Sequence, residues 1–159
     1  MYKKILVALE NGRADDTLMP HIALLARQLG SALLLVHVAD GFAARNFEQL
    51  KLAESDEIRA DREFLETTAV KLRADGLAVT TLLALGNPPT EIIRVAAAER
   101  CDLIAMTSHG HKLIADLFLG STIDRVRHNT AIPILVVRAG AATTPPHDSA
   151  INPVPQSQR

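Results

Sequence analysis

The chain is poor in residues that staple, stack or span. Cys101 is its single cysteine, so no internal disulfide can form. It stands just before an apolar run and reads as a small buried hydrophobe rather than a reactive thiol. Tryptophan is absent and aromatic residues make up only 3%, which argues against the stacking platforms used to bind single-stranded nucleic acid. Neither sign of charge dominates. With 17 Lys and Arg against 18 Asp and Glu, there is no basic field to gather nucleic acid or anionic lipid. No apolar run approaches the roughly 20 residues that cross a bilayer, and the opening run, Ile5 to Leu9, is too short for a signal-peptide core. The expectation is a cytoplasmic protein with neither nucleic acid nor membrane as partner.

What is present is ordinary globular material. Hydrophobic residues make up 48% and charged residues 22% of 159 positions, enough for one domain with a core of its own. Ile5-Leu6-Val7-Ala8-Leu9 and Leu33-Leu34-Leu35-Val36-His37-Val38 are continuous apolar runs of the kind buried on both faces of a parallel sheet. Val79 to Leu85, Asp102 to Thr107 and Ile132 to Val137 read as three more strands. Between them run helical patterns. Leu18, Ile22, Leu25, Ala26 and Leu29 form one, with Asp15, Asp16 and Thr17 as capping candidates, Gly30 as a stop, and Pro20 expected within the first turn.

Ile58, Leu65, Ala69 and Leu72 form a second helical stripe, its intervening charges from Glu54 to Glu63 taken as a solvated face. A third pattern follows the turn Gly86-Asn87-Pro88-Pro89, and a fourth runs from about Ser121 to His128. Five strands alternating with helices predict an α/β fold, a doubly wound parallel sheet with helices on both faces. The domain is expected over residues 1–139. From residue 140 to 159 the chain turns to Ala, Thr, Pro and Ser, the composition of a disordered tail.

Ligands of open α/β sheets bind beyond the carboxyl ends of the strands. Four segments should meet there: Ala8 to Gly12, Val38 to Gly41, Gly86 to Pro89, and Thr107 to Thr122. The last carries the most chemistry. Gly110 lets the backbone approach a ligand closely. Gly120-Ser121-Thr122 opens a helix, whose unpaired N–H groups and positive dipole end favour an anion. The Ser121 and Thr122 hydroxyls can donate to phosphate oxygens, and Lys112 supplies a point charge. Read alone, Gly120 is a tight turn and Ser121 an N-cap. Two glycines bracketing an anion-ready helix start, after a buried strand, favour a phosphate site.

These residues also carry a resemblance. From Lys3 to Arg138 the chain resembles the universal stress proteins, whose nucleotide motif is Gly, two residues, Gly, nine residues, then Gly-Ser or Gly-Thr. Gly110, nine intervening residues and Gly120-Ser121 match it. Lys4-Ile5-Leu6-Val7-Ala8, Leu35-Val36-His37-Val38, Gly86-Asn87-Pro88 and Pro133-Ile134-Leu135-Val136-Val137 are similar to the family in the same order. The resemblance implies strand order 3-2-1-4-5 and a Rossmann-like sheet. It also implies a homodimer through the last strand, at Ile134, Leu135, Val136 and Val137.

In one branch of the family it implies ATP or another adenine nucleotide, with Mg2+ accompanying it. The backbone around Ala8 and Val38 would then flank adenine and Glu10 would face the ribose. Gly110, His111 and Lys112, with Gly120, Ser121 and Thr122, would hold phosphate. The chain departs from the pattern at two positions. Thr107 stands at the motif's first glycine, and Glu10 replaces the usual Asp.

An enzyme is the first rival. There is no Gly-x-x-x-x-Gly-Lys-Ser/Thr loop, no Gly-x-Ser-x-Gly elbow and no strand-linked Gly-x-Gly-x-x-Gly. His109 and His111 lack neighbouring carboxylates for a metal site. His37 reads as a packed core histidine and His128 as a complement to a helix dipole. The expectation is a non-catalytic regulatory protein of the stress response, with ATP hydrolysis slow or absent. The second rival is a dimer of the same family that binds no nucleotide and acts through contacts with unidentified protein clients.

Overall fold

The computed structural model describes residues 1–39, 56–108 and 118–140, with 118–121 described by their backbone alone. In chain order the elements are β1 (Lys4–Leu9), α1 (Asp15–Leu29), β2 (Ala32–Ala39), α2 (Asp56–Ala74), β3 (Val79–Leu85), α3 (Pro88–Ala98), β4 (Leu103–Ser108), α4 (Phe118–Asn129) and β5 (Ile134–Arg138). The five strands form one sheet in the order β3-β2-β1-β4-β5, and every pairing is parallel.

A strand buried on both faces cannot alternate polar and apolar residues, and β1 and β2 do not. Ile5, Val7, Leu9, Leu33 and Leu35 point to one face, where they meet Leu18, Ile22 and Ala26 of α1 and Leu65, Ala69 and Leu72 of α2. Leu6, Leu34, Val36, Ile104 and Met106 point to the other, against Ile92, Val95 and Ala96 of α3 and Val126 of α4. Helices therefore cover both faces, as expected. Side chains such as Leu65, at 1% exposure, each contribute about 2–3 kcal/mol by leaving water.

The far end of the sheet is pinned by Asp102. Its carboxylate accepts the Lys3 N–H at 2.8 Å and the Lys4 N–H at 3.0 Å. Burial pushes this carboxyl up, but the N–H groups of Lys3, Lys4 and Asp102 itself, with the N-terminal charge, hold it below the ordinary carboxylate range. The start of β1 is thus locked to the start of β4, in the register Ile5↔Leu103, Leu6↔Ile104, Val7↔Ala105.

Three boundaries differ from expectation. Helix α1 begins at Asp15, which makes Pro20 its sixth residue and not part of the first turn. Pro20 faces solvent, so water can satisfy the Asp16 carbonyl that loses its N–H partner. The residue at the N-cap is Ala14, which makes no side-chain cap bond. Strand β5 begins after Pro133, which has no N–H to give a ladder; its carbonyl still accepts from Ile104 at 3.0 Å. Helix α4 begins at Phe118, so Gly120 and Ser121 lie inside its first turn.

The segment 40–55 and the tail 141–159 lie outside the described residues, and with the tail lies the expectation of disorder there. Among the described residues, no helix is long and apolar enough to cross a membrane.

Candidate functional site

In this strand order the direction of winding reverses between β1 and β4, the switch point beyond whose carboxyl ends open α/β sheets form their ligand crevice. The two strand ends meet through side chains. Thr107 donates its hydroxyl to Glu10 Oε1 at 3.1 Å across the crevice. Thr107 is 2% exposed and lies within β4, paired in register with Val137. It is not among the positive-φ residues, so a β-branched side chain sits there without strain.

The main chain of Glu10 is held as firmly as its carboxylate. Asp15, at 5% exposure, turns back from the start of α1. Its carboxylate accepts the Glu10 N–H at 3.1 and 3.2 Å and the Gly12 N–H at 3.2 Å. In many phosphate-binding folds the backbone N–H groups after the first strand face the ligand. Here an internal carboxylate takes them. Burial raises the Asp15 pKa above its ordinary value, against the lowering pull of those same N–H groups, and the Glu10 charge adds to the rise. This end of the crevice is acidic and suited to hydroxyl donors. An anion is better placed on the β4–α4 side.

A second polar cluster borders the same end. His37 Nδ1 lies 2.9 Å from the Leu9 carbonyl, and its Nε2 lies 3.4 Å from Asp61 Oδ2. Asn11, held at φ 59°, donates from Nδ2 to Asp61 Oδ1 at 3.0 Å. Asp61 is 8% exposed, which corrects the reading of Glu54 to Glu63 as a uniformly solvated face. The signal was legible: residue 61 falls three after Ile58 and four before Leu65, on the apolar stripe itself. His37 is accordingly more than a packed histidine, since both ring nitrogens face acceptors that tie β1, β2 and α2 together.

The remaining expected residues are distributed as follows. Ala8 and Val38 are half-buried and pack on the α3–α4 face of the sheet. Thr122 is buried at 8% exposure, on the inward side of α4 with Val126. Gly120 and Ser121 lie in the first turn of α4, where backbone N–H groups lack intrahelical partners. Gly110, His111 and Lys112, with His109, lie outside the described residues. Gly86 ends β3 at φ 139°, and a Cβ there would meet Glu91 Cγ at 3.4 Å. Its N–H donates to the Ala39 carbonyl at 3.1 Å, which fixes the β3–α3 turn beside the end of β2.

Among the described residues no group of three or more His, Cys, Asp or Glu is arranged to hold a metal. Burial raises the pKa of the Cys101 thiol, against the pull of Lys4, as befits a core position. A cavity of 760 Å³ lies away from this crevice, between α2 and β3, lined by residues including Arg59, Arg62, Val70 and Leu83.

Comparison with known proteins agrees with this architecture. The model of the universal stress protein family matches residues 1–138. A universal stress protein of Thermus aquaticus, from the QAH/OAS sulfhydrylase 3′ region, is 31% identical over 148 residues, covering 87% of this chain and all of the relative. Universal stress protein MJ0577 of Methanocaldococcus jannaschii is 26% identical over 155 residues, covering 87% of this chain and 96% of its own. Its solved structure superposes with a TM-score of 0.69. A universal stress protein of Archaeoglobus fulgidus, solved in complex with dAMP, shares the fold at a TM-score of 0.62 and 19% identity, covering 85% of this chain and 97% of its own. With sheet order, motif spacing and family match in agreement, this chain belongs to the universal stress protein family.

Proposed function

We propose that the protein is a non-catalytic, adenine-nucleotide-binding regulatory homodimer, with ATP or a close analogue held at the crevice between β1 and β4. The observation that carries this reading is the Thr107–Glu10 hydrogen bond, which spans the switch point. It sets an acceptor for sugar hydroxyls on one side of the crevice, opposite the start of α4, whose dipole favours phosphate. Ala8 and Val38 supply half-buried backbone and apolar surface between β1 and β2 for a base. Gly110, His111 and Lys112 complete the phosphate side on the family motif. The related protein solved with dAMP supports an adenine nucleotide as the ligand class. Mg2+ would arrive on the phosphates and not on a protein cage.

His37 is engaged at both ring nitrogens, which favours a structural role for it over general-base chemistry. Association through β5 is supported by its place at the edge of the sheet and by Val136, which is 42% exposed. An open apolar edge favours pairing with a second strand.

Mass spectrometry of an acid extract of the purified protein tests the nucleotide reading, together with thermal shift against ATP, ADP and AMP. The expected result is co-purifying adenine nucleotide, or a rise in melting temperature with at least one of the three. A clean extract with no shift would instead favour a family member that works through protein contacts alone.

A further inference from the structure

We infer that the outer edge of β3 is a docking site for an extended segment of another protein, added as a further strand, with apolar side chains at alternate positions and acidic residues at its ends. β3 ends the sheet, and its 7 residues pair with β2 in an unbroken register from Val79 to Leu85. Native edge strands are usually protected by a charge, a proline, a bulge or a covering element. The sequence Val-Thr-Thr-Leu-Leu-Ala-Leu has neither charge nor proline. Its register holds no bulge, and among the described residues no strand lies beyond it.

The ladder decides which backbone groups the edge offers. In a parallel strand, successive residues bond alternately to one side and to the other. The Ala78 carbonyl accepts from the Leu33 N–H at 2.8 Å, and the Gly86 N–H donates to the Ala39 carbonyl at 3.1 Å. Even-numbered positions along β3 therefore face β2, and Val79, Thr81, Leu83 and Leu85 turn their N–H and C=O groups outward. The Val79 carbonyl agrees, since Arg73 Nε donates to it from the end of α2 at 2.9 Å. That bond caps one end of the edge. Among the described residues, no such cap covers the main chain of Thr81 or Leu83.

These two residues also line the cavity between α2 and β3, together with Leu65 and the exposed Val70. An added strand bonds to Thr81 and Leu83 and places every second side chain against this apolar lining. Cations stand toward both ends of the cavity, Arg59 and Arg62 at one and Lys71 at the other. Of the two acids between them, Glu66 is already engaged by Arg73 and by the Thr81 hydroxyl. Acidic residues at the ends of the incoming segment complement this pattern. A second copy of the chain does not. Antiparallel pairing of β3 on β3 about a two-fold axis sets the Arg59 end of one α2 against the Lys71 end of the other.

The test is titration of the peptide Glu-Val-Thr-Val-Thr-Val-Glu into the isotope-labelled full chain, followed by amide NMR shifts. Saturable shifts centred on Thr81 and Leu83 are expected. The same peptide with its central amides N-methylated cannot form the ladder and should bind about tenfold more weakly or worse. Exchanging its glutamates for lysines should weaken binding several-fold, and Lys71→Glu, at an exposed position, should narrow that difference. Equal affinity for the N-methylated peptide, or an undiminished preference for glutamate in Lys71→Glu, overturns the inference. So do shifts centred elsewhere, and so does the absence of binding, as when the chain's own residues 40–55 or 141–159 cover the edge. A self-association that Thr81→Pro abolishes and Val136→Lys leaves intact would assign the edge to a second copy and overturn it as well.

Discussion

Replacing Asp15 with alanine is expected to destabilise the fold by about 1–3 kcal/mol and to loosen the main chain of Glu10 after β1. The carboxylate takes the Glu10 N–H at 3.1 and 3.2 Å and the Gly12 N–H at 3.2 Å. Gly12 is exposed and Glu10 half-buried, so water replaces the Gly12 bond more readily than the Glu10 bond. An unreplaced N–H costs about 1–3 kcal/mol. Relief from holding a charge at 5% exposure offsets part of that, because burial raises the Asp15 pKa. The loss therefore stays well below the sum of the bonds.

The raised pKa also sets a sign. Below the ordinary carboxyl value of 3.8 Asp15 is protonated folded or unfolded, and its titration costs folding nothing. As pH rises through the window from 3.8 to the higher folded value, the folded state holds its proton longer, and the stability that the proton provides is lost. Urea melts of the unsubstituted protein and of Asp15→Asn, which does not titrate, measure this directly. The stability of the unsubstituted protein minus that of Asp15→Asn should fall as pH rises through that window and then level off. A difference that rises with pH would refute the reasoning, since the N–H bonds would then outweigh burial.

Gly86→Ala should destabilise by about 1–3 kcal/mol in the same assay, because φ 139° is a backbone conformation that a side chain strains. Asp61→Ala leaves His37 and Asn11 without their shared acceptor and should cost about 2–4 kcal/mol. Its destabilisation should be strongly non-additive with His37→Ala in a double-mutant cycle. Val136→Lys, at the exposed edge of β5, should shift sedimentation from dimer toward monomer with little loss of monomer stability.

The sheet was legible because both-face burial leaves continuous apolar runs, and β1, β2 and β4 consist of such runs. Pattern alone does not fix strand ends, because a ladder depends on partners elsewhere. Proline's missing N–H moved the start of β5 to Ile134. Geometry also displaced the start of α1: the turn closed by Asp15 lets the helix begin five residues before Pro20. Strand order came from the family resemblance, since periodicity carries no information about which strand lies beside which.

At the candidate site, the positions of Glu10 and Thr107 at strand ends were legible, but their bond was not. No local rule joins residues so far apart in the chain. Thr107 stands where the family motif has glycine, and its place in β4 needs no positive φ. Asp61 was overlooked because its charged neighbours masked its place on the apolar stripe.

Amide hydrogen exchange with and without ATP tests the placement of the nucleotide at the β1–β4 switch point most directly. Added protection should concentrate in Ala8 to Gly12, around Val38, and from Thr107 to Thr122, leaving α2 and the outer edge of β3 unchanged. Protection centred instead on the α2–β3 cavity, or none at saturating ATP, would contradict it.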